Sequence, residues 1–252
     1  MLGRRMSSYS YSNYNCYSTY NARANPESPP VPVLLEQLYS PVDVTDPMQC
    51  TPEVDQVSPG VFVWQAYDSK IKADLFSTAL ETPAGIYVVD PIPLGSDGLL
   101  SLRAHRKAAG IFVTNGNHAR AAAEFAKIFS VSTYVHETLR GNPEFRQATW
   151  VQDGETLSRG VTAVAINGGP AGETALHYED NGGTMVLGDA LINFEPYGFG
   201  LLPAKYCLNR NLMRRSLRKL LDYAFERILF AHGTPILSGA RARVEQLLAA
   251  IR

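Results

Sequence analysis

The sequence predicts an α/β domain built as a four-layer αββα sandwich, with two sheets packed face to face and helices on both outer faces. Three observations carry this. Short apolar, β-branched runs recur between residues 57 and 230, each bounded by turn residues. Strand-rich blocks are each closed by segments with helical spacing. The 252 residues, 45% hydrophobic and 19% charged, fit one substantial core plus a tail better than two full domains.

The elements follow in order. Residues 1–32 are expected to be a disordered tail, because 7–22 are Ser, Tyr and Asn with little aliphatic content and Pro26, Pro29, Pro30 and Pro32 make a stiff connector. The folded domain is assigned to 33–252 and is secure from about Val57. Runs from Gly60 to Trp64, Asp74 to Leu80 and Ile86 to Asp90 read as strands in an antiparallel start. Leu99 to Lys107 reads as a helix closed by Gly110 as its C′ glycine. Ile111 to Thr114 is a buried strand, Ala119 to Phe129 a helix and Val131 to Val135 a further strand. The second half repeats the pattern. Val161 to Ile166 is a strand, and Thr174 to Tyr178 and Thr184 to Leu187 flank Asp180-Asn-Gly-Gly183, a hairpin signal because Asn and Gly tolerate positive φ. Leu212 to Ala224 is expected to be helical, Arg227 to Phe230 a strand, and the segment with Val244, Leu247, Leu248 and Ile251 a last helix.

A formal net charge of −1 provides no global field for nucleic acid or anionic membrane, so neither is an expected partner. The basic run from Lys205 to Lys219 reads as the solvated face of an amphipathic helix, with a phosphate-binding patch as the alternative. Cys16, Cys50 and Cys207 form no C-x-x-C pair and no disulfide framework, which suits a reducing compartment. With no apolar run of membrane-spanning length and no secretory h-region behind Arg4 and Arg5, a cytoplasmic location is expected.

In layered α/β folds the chemistry gathers at the carboxyl ends of strands. The residues placed there are Asp90, Asn115-Gly-Asn-His-Ala-Arg120, Gly168-Gly-Pro-Ala-Gly-Glu173, Asp189 and His232. Glu173, at the start of a strand, is expected to lean toward solvent, or to act as an acid or base if it points inward. His136 is expected to be structural, and His105 and His177 to lie on the surface.

This order of segments, from about Val57 to the C-terminus, resembles the metallo-β-lactamase superfamily. Val88-Val-Asp90 resembles that family's strand ending in aspartate, and Ile111-Phe-Val-Thr114 the strand that feeds its T-H-x-H-x-D-H loop. Gly168-Gly-Pro-Ala-Gly172 is similar to its G-H-T-P-G turn, Gly188-Asp189 to its bridging-aspartate motif, and His232-Gly233 to its closing H-G motif. The resemblance implies the four-layer fold and a zinc-dependent hydrolytic ancestry, yet the ligand positions have changed. Asn115 and Asn117 stand for the first two metal histidines, Ala119 for the loop aspartate, Arg120 for the last histidine and Gly169 for the histidine of the G-H turn. Only Asp189 and His232 remain of the usual set. Neutral amides are poor zinc ligands, and a guanidinium repels a dication.

Three functions compete on this reading. The first is a metal-free pseudoenzyme, or a binder of a small anionic molecule, with Asn115, Asn117, His118, Arg120 and Glu173 as ligand-binding residues and no cofactor expected. The second is a hydrolase of an ester, thioester or lactone with a single zinc held by His118, Asp189 and His232, with Asp189 and His232 as the catalytic pair. The third is a di-iron redox relative. The loop between Asn193 and Cys207, the aromatic segment Phe194 to Gly200 included, is expected to roof the cleft, where its aromatics suit an apolar ligand portion or serve packing alone.

Overall fold

The structure, a computed structural model, describes residues 53–69, 72–194 and 198–250. The expected tail and the start of the domain before residue 53 therefore lie outside the described residues, as do Cys16 and Cys50.

The first sheet opens with β1 (Asp55–Ser58), β2 (Val61–Asp68), β3 (Ala73–Thr82) and β4 (Gly85–Val89) as an antiparallel meander. Helix α1 (Ser96–His105) then crosses to β5 (Ala108–Val113), and α2 (Ala122–Phe129) to β6 (Thr133–His136). Both connections join parallel neighbours, as crossovers through a helix do. β7 (Thr149–Val151) closes this sheet, whose spatial order follows the chain from β1 to β7.

The second sheet contains β8 (Thr156–Ser158), β9 (Val161–Ala165), β10 (Thr174–Tyr178) and β11 (Thr184–Leu187). A separate ribbon of β12 (Leu191–Phe194) and β13 (Gly198–Leu201) follows, then α3 (Arg210–Ser216), β14 (Arg227–Phe230) and α4 (Ala240–Ala250). β14 returns to pair in parallel with β11, so the order is β14-β11-β10-β9-β8.

Side-chain alternation divides the apolar residues among three cores, and this produces four layers. Val61, Val63, Leu80, Val89 and Phe112 meet Val161, Ala163, Leu176, Val186 and Leu229 between the sheets. Their strand neighbours Phe62, Trp64, Val88, Ile111 and Val113 point the other way, onto Leu99, Leu102 and Phe125 of α1 and α2. Met185, Leu187, Ile228 and Phe230 likewise face Met213, Leu217, Leu220, Val244 and Leu248. Covered on both faces, these strands read as unbroken apolar runs instead of alternating ones.

Two local expectations change, and a third is met in its packing alternative. Gly110 does not end α1, which stops at Arg106 in extended geometry; it lies inside β5. A Cβ there would stand 2.5 Å from the Tyr134 ring and 3.0 Å from Tyr87, so glycine makes room for two tyrosines of the flanking strands. The helix expected from Leu212 to Ala224 is α3 followed by a 3-10 segment, Leu217–Asp222, with the Asn209 side chain capping the start through Leu212 N–H. Of the loop expected to roof the cleft, residues 195–197 lie outside the described residues; Phe199 packs on the core of the second sheet, its ring 5.9 Å from that of Phe230, which is the packing alternative. The hairpin signal holds: Asn181, Gly182 and Gly183 all take positive φ between β10 and β11.

Candidate functional site

Strand ends assemble the site. Parallel β4 and β5 finish just before Asp90 and Thr114-Asn115, and parallel β11 and β14 finish before Gly188-Asp189 and Ala231-His232. Because β10 runs antiparallel to β11, its start brings Glu173 to the same end. Asp90 turns out of β4 at φ 48°, a conformation that costs a non-glycine residue energy. Its Oδ1 accepts from Thr114 N at 2.8 Å, and its Oδ2 accepts from Thr114 Oγ1 at 2.5 Å and from His118 Nδ1 at 2.9 Å.

His118 is buried, and its other nitrogen, Nε2, lies 3.2 Å from Asp189 Oδ1. Burial opposes a charge on the ring, but Asp90 and Asp189 on either side outweigh it and hold the His118 pKa up at about 9. Burial likewise works against the Asp189 charge, yet His118, His232 and the Asn115 amide keep its carboxyl well below the usual range. The Asp90 carboxyl is also lowered, by His118 and Arg120 acting against its burial. His232 sets its Nδ1 3.3 Å from Asp74 O and its Nε2 3.5 Å from the same Asp189 Oδ1. Burial, helped by the His118 and Arg120 charges and opposed by Asp189, takes the His232 pKa down to about 4, so this ring is neutral at pH 7.

The loop places its other residues differently. Arg120, at φ 37°, donates from Nη1 to Phe76 O at 2.9 Å and Asp90 O at 3.2 Å, and from Nη2 to Ala231 O at 3.5 Å. Nη2 also lies 3.4 Å from His232 Nε2. Its guanidinium thus ties β3 and β4 of one sheet to the end of β14 in the other. Asn115 donates to Glu173 Oε2 at 2.7 Å and to Asp189 Oδ2 at 3.1 Å, while Asn117 is exposed and gives its N–H to Asn115 Oδ1. These donors are engaged within the protein. Among the described residues no buried side-chain N or O atom is without a hydrogen-bond partner.

Two expectations are overturned. Glu173 does not lean to solvent: it is 3% exposed, and Gly169 makes the room, since a Cβ there would sit 3.0 Å from Glu173 Cγ. Burial and the nearby Asp189 charge push the Glu173 pKa up to about 7, against the donors Ala190 N and Asn115 Nδ2. His177 is buried under the second sheet with Nε2 2.8 Å from Ala224 O, not on the surface. His105 is exposed, and His136 caps the 3-10 turn Glu137–Leu139 by accepting from Thr138 N.

The donor chemistry can be tested against a zinc ion. His118, Asp189 and His232 offer ligand atoms that all lie within 4.8 Å of one another. Tetrahedral zinc with bonds of about 2.0–2.1 Å places its donors about 3.3 Å apart. The 3.2 and 3.5 Å separations from Asp189 Oδ1 to the two Nε2 atoms match that edge. Each histidine also rests its Nδ1 on an acceptor, Asp90 or the Asp74 carbonyl, as metal-ligating imidazoles do. Two of the three donor edges therefore suit one ion, and the third lies within the same 4.8 Å limit, with the Arg120 guanidinium beside His232 Nε2. No equivalent second set occurs among the described residues, where Asn115 and Glu173 bond to each other. The residues that complete this arrangement, Thr114 and the Asp74 carbonyl, escaped the sequence reading, since a backbone acceptor from another strand leaves no mark in the sequence.

The metallo-beta-lactamase superfamily model matches residues 55–251. Among solved structures, the DIM-1 metallo-beta-lactamase aligns with a TM-score of 0.63 at 15% identity, over 80% of this chain and 99% of that one. A metallo-beta-lactamase family protein from Thermus thermophilus aligns at 0.56 and 18%, over 77% and 80%. An archaeal superfamily protein from Sulfolobus tokodaii aligns at 0.60 and 12%, over 76% and 85%. At these identities the likeness is one of fold. No curated protein matches the chain. With the family model spanning nearly the whole described domain, the chain belongs to the metallo-beta-lactamase superfamily.

Proposed function

We propose that this chain is a single-zinc hydrolase of an acyl bond (ester, thioester or lactone), with His118, Asp189 and His232 as the ligands. The observation that carries the reading is the convergence of two imidazole Nε2 atoms on one Asp189 oxygen, each ring held from behind through its Nδ1. When bound, zinc would supply Lewis acidity, polarising the substrate carbonyl and acidifying water. The protein's own residues do the rest. Asp90 fixes the His118 ring by accepting a hydrogen bond from its Nδ1–H, leaving Nε2 for the ion once the Nε2 proton has gone. His232 is already neutral. Arg120 braces the strand ends through three carbonyl oxygens and adds fixed positive charge at the site, where charge builds on a carbonyl oxygen during attack.

A second reading, a metal-free member that binds a small molecule in the inherited cleft, is favoured by one observation: Arg120 Nη2 lies 3.4 Å from His232 Nε2, the atom that would hold the ion. Here the His118 proton and the guanidinium stand in for the metal's charge. A panel of activated esters, thioesters and lactones assayed with and without chelator separates the two. The single-zinc reading expects chelator-sensitive turnover that zinc restores and that His232→Ala abolishes. Turnover indifferent to both treatments would overturn it.

A further inference from the structure

We propose that Glu173 is a positioning residue for Asp189, acting on it through the Asn115 amide. The hydrogen-bond pattern fixes every orientation. Asn115 Oδ1 accepts from Asn117 N at 2.9 Å, so Nδ2 must be the atom facing the carboxylates. Its two hydrogens go to Glu173 Oε2 at 2.7 Å and Asp189 Oδ2 at 3.1 Å. Glu173 Oε1 accepts from Ala190 N at 2.9 Å, the amide directly after Asp189. Glu173 therefore holds Asp189 twice, through the Asn115 fork and through the backbone that carries it. With Oδ2 tied back, Oδ1 is the oxygen left to face both His118 and His232.

The backbone is shaped around this link. A Cβ at Gly169 would meet Glu173 Cγ at 3.0 Å and Cβ at 3.1 Å. A Cβ at Gly188 would meet Glu173 Oε1 at 2.9 Å and Asn115 Nδ2 at 3.0 Å. Both glycines leave the space through which the Glu173 side chain runs. At 3% exposure Glu173 cannot reach a substrate, so its effect passes through Asp189. Both oxygens accept N–H donors, and a glutamine would turn an NH2 group onto one of them.

The catalytic consequence of the link rests on the single-zinc reading, but the link itself can be tested on chelated protein. The probe is the His118 Nε2 proton, which Asp189 Oδ1 holds in a hydrogen bond, followed by imidazole 1H–15N spectra at fixed pH. Glu173→Ala, Glu173→Gln and Asn115→Ala are each expected to speed its solvent exchange by at least about 10-fold, with the Glu173→Ala, Asn115→Ala double variant no worse than the stronger single. Gly169→Ala, which nudges Glu173 with one methyl and removes no polar group, is the mild variant should the others unfold; it is expected to move the same proton. In zinc titrations of the same proteins, affinity should fall about 10–100-fold, again without additivity. An unchanged proton in these variants, or losses that add, overturns the proposal. Failure of the wild type to bind zinc overturns the single-zinc reading, and the proton exchange still decides the link.

Discussion

Gly188→Ala is the smallest change that reaches the whole site at once. Its new Cβ would stand 2.6 Å from Thr114 Oγ1, 2.9 Å from Glu173 Oε1 and 3.0 Å from Asn115 Nδ2, all on buried side chains. None can yield without losing a bond: Thr114 Oγ1 holds Asp90, Glu173 Oε1 holds Ala190 N, and Asn115 Nδ2 holds two carboxylates. Overpacking a tight site costs about 1–3 kcal/mol, and displacing a hydrogen bond to a charged group about 1.5–3 kcal/mol, so a loss of about 3–5 kcal/mol is expected. Urea unfolding of the chelated protein measures it. Gly200→Ala is the control, since nothing lies within 4 Å of its Cβ position and its φ is not in the left-handed range; it should stay within about 0.5 kcal/mol of wild type. A Gly188→Ala protein as stable as the control would refute the packing on which the site depends.

Zinc must displace the His118 proton, whose pKa is held at about 9, so zinc affinity should climb as pH rises toward 9 and level off above it; a flat profile from pH 6 to 9 would remove His118 from the ligand set. In the chelated protein the same raised pKa stabilises the fold fully below the unfolded value of about 6.5, and that stability is lost as pH rises through about 9. Urea midpoints at pH 6.5 and 9.5 check the sign, with the lower midpoint expected at 9.5. Arg120→Met keeps length but removes the charge beside His232 Nε2, so zinc should bind more tightly while the fold loses about 1–3 kcal/mol with the carbonyl contacts; weaker zinc binding would show that Arg120 helps hold the ion. Phe125→Ala, in the core beneath α2, should cost about 3–5 kcal/mol in the same unfolding assay and leave the zinc stoichiometry unchanged.

Much of the fold was legible because strand ends carry the chemistry and strand interiors are uniformly apolar. Thr174–Tyr178, Thr184–Leu187 and Arg227–Phe230 have the limits that their composition suggests. The short strands β7, β8, β12 and β13 were missed: β7, β8 and β13 are not the mostly buried apolar runs that mark Thr184–Leu187 and Arg227–Phe230, and β12 and β13 form a ribbon outside the two sheets. Gly110 misled because a glycine after a helical stretch looks like a cap, when its role is steric and set by Tyr87 and Tyr134 from other strands. The site was partly legible. Asp189 and His232 stood out at strand ends, and His118 joins them because its ring reaches Asp90 on the neighbouring strand. Glu173 was misplaced for the same reason that Gly169 looked like a lost ligand: the absence of a side chain at one position is what admits the other. That dependence is a contact between residues, and no single position displays it.

The most direct measurement is the metal content of protein purified without chelator, by inductively coupled plasma mass spectrometry, followed by zinc titration of the chelated chain. Convergence of His118, Asp189 and His232 on one point predicts one zinc per chain, lost in His118→Ala and in His232→Ala. A chain that takes up no zinc, or two ions, would contradict it.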